Sequence, residues 1–280
     1  MFRELEKRYI IEGGIVLLTP LHIGSGESSP ETDSTIVRYN DGRPYIPGSS
    51  FKGVFRSTVE RIAKALGSPF RTCTLFSQDE CSERFKNALR EKDKEDEILS
   101  IITTGKTKDG NDLGVGGPLC DTCHLFGFPY LGSRFFVDDL TPDSGYTEDR
   151  EIRDGVGIDR DTGTAVEGVK YDYEVLPVNH TFNLRIAIEN PNDKDLALAA
   201  IGLRELLDGT RIGGLTSRGT GRCKLEDKSE DSAKVSMIDF KGDKRKVAGY
   251  LLEGKIADED KIGIKDFIKN SLKPFFPDIK

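Results

Sequence analysis

Hydrophobic and polar residues follow two periods along this chain, and the first of them is typical of strands. From Arg8 to Leu18, β-branched and aliphatic side chains follow one another, which predicts a buried strand. The segment 170–189 alternates between apolar and polar positions and predicts a pair of strands. Shorter strands are expected near Thr35–Arg38, at Phe135–Val137 and through Cys223–Leu225.

The second period, with apolar residues three and four positions apart, predicts helices. One helix begins at residues 48–50, where a serine can cap it, and ends before 67–69. A second spans 192–207, a charged helix is expected around 85–102, and an amphipathic helix is expected at 262–272. The order strand, helix, strands, helix, strand indicates an α+β class. It is compatible with a ferredoxin-like sandwich, in which two helices cover one face of an antiparallel sheet.

Two long segments interrupt this order. Residues 19–47 are rich in glycine and proline and predict a loop longer than compact domains carry without a functional reason. Residues 69–124 hold four of the five cysteines and predict an insertion. We therefore expect one domain built from residues 1–68 and 125–228, interrupted by that insertion and followed by an extension over 229–280.

Composition narrows the class of protein. Of the 280 residues, 32% are charged and 36% are hydrophobic, and no apolar run is long enough to span a membrane. The N-terminal segment is charged and predicts no signal peptide, so we expect a cytoplasmic protein with reduced cysteines and no membrane partner. The net charge of −7 argues against a nucleic-acid ligand unless cations gather locally.

One local group of cations lies at the start of the first predicted helix. Ser49 and Ser50 precede Lys52 and Arg56, which are four residues apart and so share one helical face. Together with the free amides and the dipole at a helix start, they predict an anion site suited to phosphate. The alternative is an ordinary capped helix with two solvated cations.

A second basic segment spans 211–222, which holds four glycines and three arginines in twelve residues. Glycine lets the backbone pass close to a ligand, and guanidinium groups bind phosphate in a forked geometry. The segment lacks the Gly-Lys-Ser/Thr ending of a nucleotide-binding loop, which favours a polynucleotide backbone over a nucleoside triphosphate. A flexible hairpin is the alternative. The candidate residues are Arg211, Gly213, Gly214, Arg218, Gly219, Gly221 and Arg222.

Four cysteines are candidate ligands of a structural zinc ion: Cys73, Cys81, Cys120 and Cys123. A Cys-x2-Cys pair forms a tight knuckle, and two cysteine pairs suit tetrahedral Zn²⁺, although a spacing of seven residues within the first pair is loose. His124 could replace one cysteine, and the alternative is a set of unrelated buried thiols. Cys223 lies in a predicted strand and is expected to pack there.

The remaining candidates are single residues. Asp33 lies in the long loop, where a carboxylate could hold a divalent metal or orient a hydroxyl against a phosphodiester, or could simply be solvated. The histidines His22, His124 and His180 are scattered with no recognisable partner spacing. Structural roles are expected for His22 and His180, and a lone histidine base remains an alternative.

Taken together, five motifs in this order resemble the RAMP superfamily of CRISPR-associated proteins. The resemblance is strongest to the repeated backbone subunit of type III (Csm/Cmr) effector complexes. The motifs are TPLHIGSG at 19–26, PYIPGSSFKGVFR at 44–56, CDTCHLFG at 120–127, GIDRDTGTA at 157–165 and the glycine-rich run at 211–222.

This resemblance implies a ferredoxin-like (RRM-like) palm, a finger-like insertion around zinc, and a thumb hairpin at about 150–175. Asp159 and Arg160 on that hairpin are expected to meet the guide RNA, as are the two basic segments. Further implied partners are the crRNA, the target RNA, other CRISPR effector subunits and more copies of the same chain.

By the same resemblance, Asp33 matches the aspartate with which active members cut target RNA at regular intervals, using Mg²⁺ or Mn²⁺. Its expected role is to orient or activate a ribose 2′-hydroxyl. Two alternatives stay open at this point. One is a non-catalytic subunit of a crRNA filament, and the other is a standalone, metal-independent ribonuclease that processes crRNA precursors.

Overall fold

A computed structural model of the chain describes residues 4–74, 77, 80–90, 95–147, 150–226 and 233–277. Its strands are β1 (Lys7–Leu17), β2 (Phe135–Val137), β3 (Thr141–Pro142), β4 (Glu151–Ile158), β5 (Ala165–Val175), β6 (Thr181–Glu189), β7 (Thr210–Arg211), β8 (Arg222–Leu225), β9 (Lys234–Asp239) and β10 (Lys261–Gly263). Its helices are α1 (Gly48–Leu66), α2 (Cys81–Leu89), α3 (Glu95–Thr104), α4 (Asp121–Phe126), α5 (Asp193–Asp208), α6 (Lys244–Glu253) and α7 (Ile264–Leu272).

The main sheet is antiparallel and is built around β1. One edge of β1 pairs with β6 along most of its length, and β2 and β3 pair with the far edge of β6. The other edge of β1 is shared, because β9 pairs with Lys7–Glu12 and β8 pairs with Ile15–Leu17. Gly13 lies where the partner changes, and a Cβ there would come within 3.0 Å of Leu225 and 3.1 Å of Ala233.

One face of this sheet is buried under helices, as the alternating pattern predicts. Along β6, Phe182 and Leu184 are buried, whereas Asn183 and Arg185 between and after them face solvent. Helices α1 and α5 pack against each other over the buried face, and Gly202 of α5 makes room for a phenylalanine ring of α1. The mixed fold with an antiparallel sheet confirms the predicted α+β class, with hydrophobic burial between sheet and helices as its main stabilisation.

Local details near α1 differ from prediction. The helix starts at Gly48 and its N-cap is Pro47, so no serine caps it. The Gly48 amide instead donates to Asp139 Oδ1 at 2.7 Å, which ties the helix start to the loop after β2. The segment Thr35–Arg38 is not a strand, because its pairing is limited to isolated bridges such as that of Ile36 with Gly24.

The insertion has its own hydrophobic cluster, which contains Phe85, Ile101 and four cysteines. The single charged helix expected around 85–102 is wrong, since α2 ends at Leu89 and α3 begins at Glu95, and residues 91–94 lie outside the described residues. Helix α4 was not predicted. Its six residues are too few for a helical period to be recognised from the sequence.

The C-terminal extension adds β9, β10 and α7 to the main sheet and its helical layer. The predicted amphipathic helix is confirmed as α7, whose Ile264, Phe267 and Ile268 are buried against α5 and the sheet. Strand β9 and helix α6 were not predicted. None of the helices in the described part of the chain combines the length and apolar character needed to cross a bilayer.

Candidate functional site

Three segments that are distant in sequence meet at the base of a hairpin formed by β4 and β5. The long loop 19–47 reaches it through a hydrogen bond from the Leu21 amide to the carbonyl of Leu176, at 2.9 Å. The glycine-rich loop reaches it through Arg218, which donates to the hydroxyl of Tyr171 and lies over its ring. The fold therefore brings a predicted catalytic loop, a predicted basic loop and a predicted thumb together.

Asp33 lies exposed at this junction. Its Oδ2 accepts a hydrogen bond from the backbone amide of Asp172, at 3.0 Å, so β5 holds the carboxylate in place. Two further carboxyl groups are close: the hydrogen bond shared by Asp154 and Asp172 raises the pKa of Asp172 and lowers that of Asp154. The Lys170 ammonium lies 3.4 Å from Asp154 and 3.7 Å from Asp172 and partly balances them.

Glu174 was missed by sequence reasoning, yet it connects β5 to the Asp33 loop. The residue is only 2% exposed. Its carboxylate accepts from the Ile36 amide at 3.0 Å and pairs with the Arg38 guanidinium at 2.6 Å. The alternation in β5 puts Glu174 on the polar face between Tyr173 and Val175, so no feature of the sequence indicated that this carboxylate is buried and paired.

The two histidines that were expected to be structural, His22 and His180, both lie inside the protein and contact other groups. His22 is buried, and its Nδ1 lies 2.7 Å from the carbonyl of Glu174, so Nδ1 carries the proton in that contact. Its Nε2 faces the Ser34 hydroxyl at 3.4 Å. His180 is also buried and packs against the ring of Tyr146. Neither ring is as exposed as a general base that accepts a proton from a bound RNA strand would have to be.

The glycine-rich loop needs glycine where it passes the long loop. Gly213 has a φ of +86° and Gly221 a φ of +79°, and a Cβ at either would overlap a carbonyl oxygen, that of His22 or that of Ile212. The amide of Gly214 donates to the same His22 carbonyl at 2.8 Å. Six of the predicted residues are exposed on the surface, whereas Gly221 is buried: Arg211, Gly213, Gly214, Arg218, Gly219 and Arg222.

Lys52, by contrast, is turned towards the protein. Its ammonium donates to the Ser133 hydroxyl at 2.7 Å and to the Phe135 carbonyl at 2.9 Å. Burial lowers the pKa of Lys52, and the charge of Arg56 lowers it further. Of the two serines before it, one is exposed and the other half-buried: Ser49 and Ser50 respectively.

Arg56 is likewise held within the molecule. Its guanidinium donates to Glu60 at 2.7 Å, to the Gly127 carbonyl at 3.0 Å and to the Cys123 sulfur at 3.5 Å. The predicted pair of cations on α1 therefore binds protein groups within residues 123–135, and the structure does not bring it to the hairpin base.

At the hairpin tip, Asp159 shapes the turn. Its Oδ1 accepts from the amides of Asp161 and Thr162 and from the Thr162 hydroxyl, at 2.8–3.0 Å, and these bonds lower its pKa. Arg160 beside it is exposed. The hairpin also exposes aliphatic side chains along its length: Ile152, Val156, Ile158, Val166 and Val169.

The four predicted cysteines form a buried cluster in the insertion. The sulfurs of Cys73, Cys81, Cys120 and Cys123 all lie within 4.8 Å of one another, and in the described part of the chain they are the sole group of three or more side chains placed to share an ion. Hydrogen bonds from neighbouring thiols, led by Cys123, hold the pKa of Cys120 below its usual value. Four sulfur donors so close together could hold a metal ion.

His124 does not belong to this cluster. Its Nδ1 lies 2.9 Å from Asp195, a fully buried residue in the capping box at the start of α5. The possibility that His124 replaces a cysteine ligand is therefore wrong in this structure, because the ring is engaged with α5. Cys223 is fully buried in β8, and burial raises its pKa to about 12, in agreement with its predicted packing role.

Comparison with known proteins identifies a family and two relatives that are similar in sequence to this chain. The CRISPR system Cms endoribonuclease Csm3 of Methanocaldococcus jannaschii is 29% identical over 241 residues, which cover 80% of each chain. The protein of the same name from Methanothermobacter thermautotrophicus is 49% identical over 59 residues, 20% of this chain and 24% of that one. The family model of the RAMP superfamily matches residues 15–224, from β1 to β8. The chain belongs to the RAMP superfamily.

Proposed function

We propose that this chain is a crRNA-binding backbone subunit of a type III CRISPR effector complex, and that it cleaves target RNA at regular intervals through Asp33. The observation that carries the proposal is the position of Asp33, exposed where the long loop, the glycine-rich loop and the hairpin base meet. The names of the two Csm3 relatives support the same assignment.

RNA binding rests on the surface of the glycine-rich loop. Arg211, Arg218 and Arg222 are exposed there, and guanidinium groups bind phosphate strongly while base pairing supplies sequence recognition. The exposed aliphatic face of the hairpin would pack against bases, and Arg160 at its tip would meet the strand. Serine side chains at the start of α1, Ser49 above all, would add polar contacts.

The proposed chemistry needs little more than alignment. A carboxylate held by the Asp172 amide can orient a ribose 2′-hydroxyl for attack on the adjacent phosphate, and such positioning alone lowers a barrier substantially. Bound Mg²⁺ or Mn²⁺ would supply charge neutralisation at that phosphate. Asp33 belongs to no described group of three side chains close enough to share an ion, so phosphate oxygens of the RNA would have to complete the coordination.

The test is cleavage of target RNA by the assembled complex carrying Asp33→Ala or Asp33→Asn. We expect loss of cuts at regular spacing with unchanged target affinity, because the carboxylate aligns the reaction without carrying the binding. Asp41→Asn is the matched control, since Asp41 is an exposed aspartate of the same loop that pairs with Arg43. Persistent cutting by Asp33→Ala would leave the chain as a non-catalytic filament subunit.

A standalone, metal-independent ribonuclease is the less favoured function. It would need a histidine that reaches RNA, whereas His22 and His180 are buried and in contact with other groups. Cleavage by the isolated chain in EDTA, lost on replacement of either histidine, would reverse this preference.

The proposed role also assigns the parts of the fold. The order β8, β1, β6, β2 with helices α1 and α5 is the pattern of a ferredoxin-like palm, which supports that part for residues 1–68 and 125–228. Residues 69–124 would form the zinc finger-like insertion and residues 150–175 the thumb. The proposed boundary of the extension at 229 lies outside the described residues.

Zinc is the metal we propose for the cysteine cluster. Four buried sulfur donors match the closed tetrahedral coordination of structural Zn²⁺, which leaves no position for a substrate. In a cytoplasmic complex these thiols would stay reduced and available for the ion. The proposed partners are the crRNA, the target RNA, other effector subunits and further copies of this chain.

A further inference from the structure

The backbone of Glu174 joins the hairpin to the long loop on both sides of the residue. Its amide donates to the carbonyl of Ser34 at 2.9 Å, and its carbonyl accepts from His22 Nδ1 at 2.7 Å. Ser34 follows Asp33 directly in the chain. A single β5 residue therefore binds His22, near the beginning of the loop, and Ser34, the neighbour of the proposed catalytic carboxylate.

The side chain of Glu174 adds a second grip further along the loop. Its two carboxylate oxygens bind the Ile36 amide at 3.0 Å and the Arg38 guanidinium at 2.6 Å. Arg38 in turn donates to the Gly42 carbonyl at 2.9 Å. Since the carboxylate is buried, breaking these bonds would leave a desolvated charge without compensation, which is strongly unfavourable.

Asp33 itself is held by the same strand. Its carboxylate binds the amide of Asp172, two residues before Glu174, and Ser34 forms a parallel bridge with Tyr173. Asp33 and Ser34 thus lie along β5, and the hairpin contributes contacts to both residues. Any change in the position of the hairpin base would carry this segment with it.

We infer that Glu174 is a positioning residue that makes the placement of Asp33 depend on the β4–β5 hairpin. This regulation of the cleavage site rests on the proposed role of Asp33. The hairpin would be the element that RNA contacts, and Glu174 would transmit its position to the loop. Glu174 touches neither the reacting hydroxyl nor the phosphate in this arrangement, and it acts only through the residues it binds.

The test compares Glu174→Ala, Glu174→Gln and the control Glu151→Gln in the assembled complex. Single-turnover cleavage should fall roughly tenfold to a hundredfold in Glu174→Ala, with target affinity unchanged, because a small misplacement of an aligned group costs that much. Glu174→Gln should lie between Ala and the unmodified chain, since its amide oxygen can still accept from Ile36. Glu151 is an exposed carboxylate of the same hairpin, and its variant should cleave normally.

Amide hydrogen exchange provides a readout that does not depend on cleavage. Exchange at residues 34–38 should be faster in Glu174→Ala than in the unmodified chain. The exchange rate in Glu174→Gln should lie between those two. Unchanged exchange and unchanged cleavage in Glu174→Ala would overturn the inference. If Asp33→Ala still cleaves, the proposed function fails, yet exchange still decides whether Glu174 orders the loop. Should Glu174→Ala not fold, Arg38→Met and Glu174→Gln test the same contacts, and normal exchange and cleavage in both would overturn it.

Discussion

The ammonium of Lys52 on α1 contacts residues 133–135, in the segment that follows α4. Its two acceptors, the Ser133 hydroxyl and the Phe135 carbonyl, satisfy the half-buried ammonium. The Ser133 hydroxyl also contacts the Phe135 carbonyl, so three polar groups form one small network. At this position the charge joins two layers of the fold.

We therefore expect Lys52→Met to lower the free energy of unfolding by about 1–3 kcal/mol, because the acceptors lose their donor in a partly buried site. Thermal or urea denaturation of the purified chain measures this loss. Lys86→Met is the control, since Lys86 is exposed on α2 in a weak ion pair with Glu83. Unchanged stability with weakened RNA binding would instead place Lys52 at the RNA surface.

Residue types alone could not distinguish these roles. Lys52 and Arg56 at helical spacing are compatible with a phosphate site or with contacts inside the protein, and only the packing of residues 127–135 against α1 decides. Asp159 is similar, since its carboxylate serves the hairpin turn. The cysteines were predictable, because thiol pairs serve a metal site wherever the fold lets them meet.

At the scale of elements, strong periodicity was enough to predict where structure forms. The spacing in α1, α5 and α7 and the alternation in β6 all correspond to elements of the structure. Helices α2 and α3 were merged in prediction because charged residues hide the break between them. Strand β9 was missed because its apolar positions are few and its neighbours are charged.

Helix α4 and the cysteine cluster predict a dependence of the insertion on metal. We expect purified protein to contain about one equivalent of zinc per chain, since one closed four-sulfur site binds one ion. Cys120→Ser should abolish it and loosen the insertion, because Cys120 also caps α4. Elemental analysis and limited proteolysis measure both effects.

Cys223→Ser is the matched control for this experiment. Cys223 is buried in β8, away from the four clustered sulfurs, and its replacement should leave the zinc content unchanged. Retention of zinc by Cys120→Ser, or its absence from the unmodified protein, would contradict the proposed site.

At the scale of the whole molecule, a net charge of −7 coexists with a local cationic surface. Arg218 of the glycine-rich loop lies beside the hairpin, while many other cations are paired with carboxylates, as Lys246 is with Glu259 and Asp260. The sum of charges is therefore a poor guide to the partner, and the arrangement of unpaired charges is a better one.

Arg218→Ala and Arg222→Ala should each weaken RNA binding and reduce the slope of log affinity against log salt by about one, because each removes one phosphate contact. Titration of guide RNA at several salt concentrations measures the slope. Arg204→Ala is the control, since Arg204 is an exposed arginine of α5 already paired with Asp208. An equal loss in all three variants would indicate a general effect of charge.

The pairing of β9 with the first half of β1 has a practical consequence. The family match ends at residue 224, but the hydrogen bonds of Lys7–Glu12 on that side are satisfied only further along the chain. In a shortened chain ending after β8, the amides and carbonyls of Lys7–Glu12 that pair with β9 would lose their hydrogen-bond partners. Extended peptides, including the same strand of other molecules, would form hydrogen bonds with that exposed edge, and the shortened protein would aggregate. The C-terminal extension thus protects the edge of β1 from intermolecular pairing. A chain shortened to the residues of the family match would be more prone to aggregation.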